Sequence, residues 1–333
     1  MNKREFADMN MPRAFYSASD LAFIIPTKDR PQKLKNLLES FATQTVSCGR
    51  LIIIDGGHSV ENLVMSYSGK LPVEYYECRP PGQIRQKNMG ISLLDEKTPL
   101  VGFLDDDIVL EPYALKAIIS FWNSCGANTA GISFNIINVP AQRHFLLGSI
   151  FGLSVPEPGR VLRSGITTAN YPAQTNLRTQ WLCGGATIWK QDILKAFSHN
   201  EIQGRWAIAE DLIFSYPVGK RFSLYVCADA RVRHEHVMDY VSKMKHRFHG
   251  RTQTIWWLYF VELNDDLSRT RFFFALFVRI IGRLMRGMLT FRIEHLEFVL
   301  GQVEGAIKGL KSILYHGDLV SLMAEEEDAK KNE

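Results

Sequence analysis

The sequence predicts an α/β fold, a mostly parallel sheet with flanking helices, followed by a helical C-terminal extension. Three observations carry that prediction. Short apolar runs alternate with helix-period segments through the first half of the chain, the pattern of repeated strand–helix–strand units. Three of those runs end in polar clusters, Thr27–Arg30, Asp55–Gly57 and Asp105–Asp107, where a parallel sheet would offer its carboxyl ends to a ligand. Beyond His236 the apolar spacing becomes helical and stays so to about Tyr315.

Taken in order, Leu21–Pro26 is an apolar strand closed by a turn signal. Leu34, Leu37, Leu38 and Phe41 follow at i, i+3, i+4 and i+7, one face of an amphipathic helix. Pro31 suits its first turn, and Asp29 lies near its N-cap, where a carboxylate is favoured. Leu51–Asp55 is a second strand ending at Gly56-Gly57, Val73–Glu77 a weaker one and Gln83–Leu94 a helix. Leu100–Asp105 is a third strong strand, and Tyr113–Trp122 a further helix. From Ala127 to Thr179 Gly, Pro, Ser and Asn are frequent and clean periods few, so irregular strands and long loops are expected. Structure resumes at Trp181–Trp189, with a helix near Gln191–Phe197 and a strand at Phe222–Cys227. The chain thus divides into an N-terminal extension (1–19), an α/β domain (20–236), a basic and aromatic helical region (237–320) and a charged tail (321–333) expected to be disordered.

Composition sets the outer limits. Of 333 residues, 46% are hydrophobic and 22% charged, which supports a sizeable core and excludes wholesale disorder. A net charge of +4 is too mild to indicate nucleic acid. Five widely spaced cysteines without a CxxC pair argue against a disulfide framework or a zinc site, and for a reducing compartment. The N-terminal residues lack the apolar core of a signal peptide, and no uncharged run approaches the ~18–20 residues of a membrane span. The expected location is cytoplasmic, free or peripheral at the inner face of the cell membrane.

Asp105-Asp106-Asp107 carries the strongest chemical signal. Adjacent carboxylates repel one another unless water solvates them or a cation neutralises them, and an Asp-x-Asp pair suits Mg²⁺ or Mn²⁺. As an isolated triplet it would read as a solvated acidic turn; its place at the end of an apolar strand favours function. Glu210-Asp211 opens a helical segment. Acidic residues there ordinarily complement the helix dipole, but a carboxylate in a ligand crevice also serves as a general base toward a hydroxyl.

Five segments in order resemble glycosyltransferase family 2, whose members have the GT-A fold. IIPTKDRPQKLKNLLESFATQT is similar to that family's opening strand and helix, LIIIDGG to its second strand, and GQIRQKNMGI to its donor-side helix. VGFLDDDIVLEP resembles the metal-binding DxD strand. WLCGGATIWKQDIL followed by AEDLIFSYPVGKRF resembles the acceptor-side glycines and the Glu-Asp base motif. The resemblance spans residues 20–236 and implies a metal-dependent, inverting transfer from a nucleoside-diphosphate sugar to a glycan or lipid-linked acceptor, in bacterial surface polysaccharide synthesis. It implies a donor site of Pro26, Thr27, Asp29, Arg30, Asp55, Arg85, Lys87, Asn88, Asp105 and Asp106, with Thr27 and Asp55 near the base and Arg85 or Lys87 near the diphosphate. It implies Mn²⁺ or Mg²⁺ on Asp105 and Asp107 with His234 or His236, Asp211 as base beside Glu210, and Trp181, Gly184 and Gly185 on the acceptor side. Gly56, Asp29 and Lys87 depart from the residues usual in the family, and the sequence does not choose between the two histidines.

Between 243 and 311 there are twelve Lys/Arg and six Asp/Glu, interleaved with aromatics. On a helix Arg279, Arg283 and Arg286 share one face, and Phe277, Ile281, Leu284 and Met288 another. Residues 243–292 therefore suit an anionic membrane surface, with packing on the chain's own domain or homo-oligomer contact as the competing uses. Two other functions share much of this pattern: a catalytically inactive glycan-binding or scaffolding protein, and a sugar nucleotidyltransferase, which the glycine-free turn PTKDRP disfavours.

Overall fold

In the computed structural model the described residues are 15–141, 148–149, 151–197, 208–235, 246–315 and 317–323. They fall into two compact units, one drawn from 1–141, 170–199 and 214–235 and the other from 142–169, 200–213 and 236–333. The sheet comes from β1 (Leu21–Thr27), α1 (Pro31–Ala42), β2 (Arg50–Asp55), α2 (Glu61–Met65), β3 (Val73–Glu77), α3 (Gln83–Ser92) and β4 (Leu100–Leu104). It is completed by β5 (Ile108–Leu110), α4 (Ala114–Ser124), β6 (Thr129–Ile136), β7 (Leu177–Thr179), β8 (Ala186–Lys190), α5 (Gln191–Ala196), α6 (Glu210–Gly219) and β9 (Ser223–His234).

Strand order is β3-β2-β1-β4-β8-β6-β9-β5, with β7 also beside β9. β3, β2, β1 and β4 run parallel; β8 opposes both β4 and β6, β6 and β9 are parallel, and β5 and β7 oppose β9. The sheet is therefore mixed, with its parallel half at the N-terminal end of the chain. Register fixes the site: Thr27 pairs with Asp55, and Ile24 with Phe103, so the residues after Leu104 emerge beside the end of β1.

The parallel strands are apolar throughout because both faces are covered. Leu21, Phe23 and Ile25 face Leu34, Leu37, Leu38 and Phe41 of α1, with Ile118 and Trp122 of α4 in the same cluster. Ile24, Ile52, Ile54, Val101 and Phe103 meet Ile193, Phe214 and Val218 on the other face. Each fully buried side chain of this kind stabilises the fold by about 1.5–3 kcal/mol.

Two sequence expectations change. Asp29 does not cap α1: Arg30 holds the cap position, and Asp29, at φ 55°, turns its carboxylate to the backbone N–H and Nδ1 of His58. The stretch from Ala127 contains β6, a fully buried strand in the middle of the sheet. Its polar residues hid it. Ser133 donates to the Ala186 carbonyl, and Asn135 donates to the carbonyls of Ala173 and Ala228, so each polar group has a partner on a distant segment.

The second unit contains α7 (His246–Glu262), α8 (Arg269–Thr290) and α9 (Ile293–Leu314). α7 and α9 approach closely because Gly250, Gly301 and Gly305 present bare backbone at the crossing; a Cβ on Gly305 would stand 2.6 Å from the Arg251 carbonyl oxygen. The Trp257 indole donates to the Gly165 carbonyl and the Ser268 N–H to the Arg163 carbonyl, tying the 159–168 loop to these helices. The chain remains ordered beyond 320: Leu319 and Met323 are buried, while 324–333 lie outside the described residues, as do 1–14. Among the described residues no helix is long and apolar enough to cross a membrane.

Gly102 in β4 leaves room for the ring of Phe23, which a Cβ would strike. Gly102→Ala should destabilise the protein by about 1–3 kcal/mol, read as a lower urea midpoint with an unchanged slope.

Candidate active site

Three parallel strands deliver the polar cluster. At the end of β1, Pro26 is half-buried and Thr27 buried, and the Thr27 hydroxyl donates to Asp106 Oδ2 at 2.8 Å. Arg30, just before α1, reaches Asp106 Oδ1 at 3.1 Å and Asp107 Oδ2 at 3.5 Å while 43% of its side chain stays exposed. At the end of β2, Asp55 is fully buried and holds its own loop, accepting from the N–H groups of Gly57 and Val60 and from the Tyr75 hydroxyl. On α3, Arg85 donates to the Pro80 carbonyl, Asn88 is half-buried, and Lys87 is buried with its ammonium 5.5 Å from the Phe103 ring centroid.

The three aspartates divide their roles. Asp106 turns back into the protein, onto Thr27 and Arg30. Burial pushes its pKa up to about 6, aided by Asp107 and Asp105, although Arg30 and the Thr27 hydroxyl pull it down. Asp105 and Asp107 instead converge with His234 at the end of β9; one ligand atom from each lies within 4.8 Å of the others. The His234 Nε2 to Asp107 Oδ1 distance is 3.0 Å. Burial alone would lower the His234 pKa, but the hydrogen bond to Asp107 and the charges of Asp107 and Asp105 outweigh it and leave it raised.

Two carboxylate oxygens and an imidazole nitrogen form a donor set for Mn²⁺ or Mg²⁺, and their spacing fits a single ion. Among the described residues, Asp105, Asp107 and His234 are thus the group that could hold such an ion. His236 lies outside the described residues.

Gly185 shapes this cluster from β8's approach. Its carbonyl accepts the Asp105 N–H at 2.9 Å, and a Cβ there would lie 3.0 Å from Asp105 Cγ and collide with the carboxylate oxygen. Gly184 is half-buried, and Trp181 is buried, its carbonyl accepting from Asn170 and Thr179. Glu210 and Asp211 form the first turn of α6; Glu210 is buried, and Asp211 Oδ1 accepts the Leu212 N–H at 2.8 Å. Acidic groups at that end complement the helix dipole.

The sequence did not point to the residues that hold these groups in place. Gln86 donates to the carbonyls of Thr27 and Ile54 and so clamps the ends of β1 and β2. Asn138 exchanges hydrogen bonds with the backbone of His234, accepting its N–H and donating to its carbonyl, both at 2.9 Å. Lys33 and Asn36 of α1 hold Glu235, next to that histidine. Only Gln86 carried a signal, being enclosed by Arg85 and Lys87 in a segment already singled out.

A mixed α/β sheet with an Asp-x-Asp and histidine cluster at its strand ends fits one class, a glycosyltransferase of the GT-A fold. Residues 22–171 match the family described as Glycosyl transferase family 2. Among solved structures, S. aureus TarS 1–349 aligns at 15% identity and a TM-score of 0.51, covering 94% of this chain and 91% of that one. TarS 1–349 in complex with UDP aligns at 15% identity and 0.49, covering 86% and 91%; GalNAc-T7 with UDP, GalNAc and Mn²⁺ aligns at 12% and 0.48, covering 64% and 42%. A search of curated protein sequences finds no match.

Gly185→Ala should displace the Asp105 carboxylate and lower Mn²⁺ affinity about 10–100-fold with little change in melting temperature. Calorimetric titration of Mn²⁺ checks this; unchanged affinity would separate Asp105 from metal binding.

Proposed function

We propose that the chain moves a sugar from a nucleoside-diphosphate donor to a hydroxyl of a glycan or lipid-linked acceptor, with inversion at the anomeric carbon. The observation that carries this reading is the convergence of Asp105, Asp107 and His234 at the strand ends of a glycosyl transferase family 2 domain. When bound by these three residues, Mn²⁺ or Mg²⁺ supplies positive charge for the diphosphate.

The protein's own groups account for the remaining steps. Arg30, half-exposed beside the acidic cluster, is placed to add a second positive charge on the donor side. Asp211 takes the proton of the acceptor hydroxyl as that oxygen attacks the anomeric carbon. The bond from that carbon to the diphosphate oxygen breaks, and its electron pair leaves with the nucleoside diphosphate. Glu210 orients the base or the acceptor, and Trp181, Gly184 and Gly185 form the acceptor side. Pro26, Thr27, Asp55, Arg85 and Asn88 surround the nucleotide. In this reading Asp55 acts through the loop it holds, and Lys87 through α3, since both are buried. The acceptor class fits bacterial surface polysaccharide synthesis in the cytoplasm, at the inner face of the cell membrane.

The test is a calorimetric panel of UDP-, GDP-, dTDP- and CMP-sugars with and without Mn²⁺. One nucleoside-diphosphate sugar should bind only with metal, and Asp107→Ala should abolish that binding. With the donor in hand, Asp211→Asn should leave its binding intact and reduce transfer about 10²–10⁴-fold. A chain that binds no donor under any condition would be an inactive relative of the fold.

A further inference from the structure

The C-terminal helices carry their polarity inside out. Of the twenty large apolar side chains exposed among the described residues, fifteen lie between Phe274 and Tyr315, on α8, α9 and the turn joining them. On α8, Phe274, Phe277, Ile281, Met285 and Met288 recur at intervals of three or four and form one outward stripe. On α9, Ile293, Leu296, Leu300, Val303, Ile307 and Leu310 do the same. The opposite side of α9 is already occupied: Phe298, Gly301 and Gly305 are its contacts with α7 and α8. These stripes are therefore not the faces that build the unit.

The arginines of α8 lie behind its apolar stripe. At 100° per residue, Arg279, Arg283 and Arg286 project from the side opposite Phe274 and Ile281. The Arg283 guanidinium stacks on the Phe298 ring of α9 at 3.6 Å, Arg279 lines a cavity with Thr254 and Trp257 of α7, and Arg286 remains exposed. α8 has five arginines and no Asp or Glu. At the turn the side chains are almost free of the protein: Leu289 is 80% exposed, Phe291 95% and Ile293 71%, with Arg292 among them. Phe291 adopts φ 52°, a left-handed conformation that is strained for a bulky residue and that sets its ring outward.

We propose that the α8–α9 hairpin docks onto the surface of an anionic lipid bilayer. Its apolar stripes lie in the plane of the acyl boundary, its tip enters first, and Arg286 and Arg292 reach lipid phosphates from behind. Charge selects this occupant over a second copy of the chain. Residues 269–314 carry eight Lys/Arg against three Asp/Glu, an excess that an identical copy would duplicate and that anionic headgroups complement. The acidic residues of α9 are Glu294, Glu297 and Glu304, and Glu304 is paired with Arg247 and Arg251. No described helix is suited to cross the bilayer, which fits an in-plane mode. The assignment extends the proposed setting at a membrane face, and its test needs neither donor nor acceptor.

Sedimentation of the full chain with vesicles decides it, using phosphatidylcholine alone and phosphatidylcholine with about one third phosphatidylglycerol. The wild type should bind the anionic vesicles, and added salt should weaken that binding. The triple change Leu289→Ser, Phe291→Asn and Ile293→Ser, in which Asn tolerates the left-handed turn, should lower vesicle affinity at least about tenfold. Arg286→Gln with Arg292→Gln should lower affinity for anionic vesicles about tenfold or more and leave phosphatidylcholine unaffected. Matched melting temperatures and a donor-binding panel unchanged from wild type would show that the rest of the protein is intact. Failure of the wild type to bind anionic vesicles, or undiminished binding by the triple variant, would overturn the proposal. So would a wild-type dimer in buffer that the triple variant converts to monomer without loss of vesicle binding.

Discussion

Three adjacent carboxylates at the end of a buried strand repel one another, and the arrangement of the first unit follows from how that repulsion is resolved. The chain separates the triplet. Asp106 is drawn to the Thr27 hydroxyl and the Arg30 guanidinium, and its neighbours converge on His234. A carboxylate buried without such partners would be disfavoured by several kcal/mol or would take up a proton. Three carboxylates share this strand end with Arg30 and His234, so it retains a demand for positive charge. A divalent cation held by Asp105, Asp107 and His234, as proposed, would answer that demand.

Precision in this cluster comes from residues that never touch its ligand face. Gly185 vacates the space the Asp105 carboxylate occupies, Asn138 fixes the end of β9 by a reciprocal pair of backbone hydrogen bonds, and Gln86 clamps β1 to β2. Such partners orient ligands that would otherwise sample many rotamers. They come from segments far apart in sequence, where only the closed sheet brings them together.

That distance explains what was legible beforehand. β1, β2 and β4 could be read because strands covered on both faces are apolar from end to end, and α1 because its apolar side chains keep a helical period. β6 could not, since Ser133 and Asn135 satisfy themselves on partners more than thirty residues away and break the apolar pattern. The aspartates, the Glu-Asp pair and the glycines were legible as residue types in order. The choice of Asp105 and Asp107 over Asp106 depends on which side chain meets Thr27, a fact of register between β1 and β4. In the second unit the arginine and apolar faces of α8 were readable by period, but which face the protein covers was not. The Arg283–Phe298 stack and the glycine crossing of α7 with α9 settle that only in three dimensions.

The measurement that bears most directly on this account is pulsed electron paramagnetic resonance of Mn²⁺ added to the purified chain. One bound ion is expected, its spectrum showing coupling to an imidazole nitrogen, with that coupling lost in His234→Ala and the binding lost in Asp107→Ala. Mn²⁺ that binds as tightly to Asp107→Ala, or that keeps its nitrogen coupling in His234→Ala, would place the metal elsewhere and contradict the assignment of this strand end as the catalytic centre.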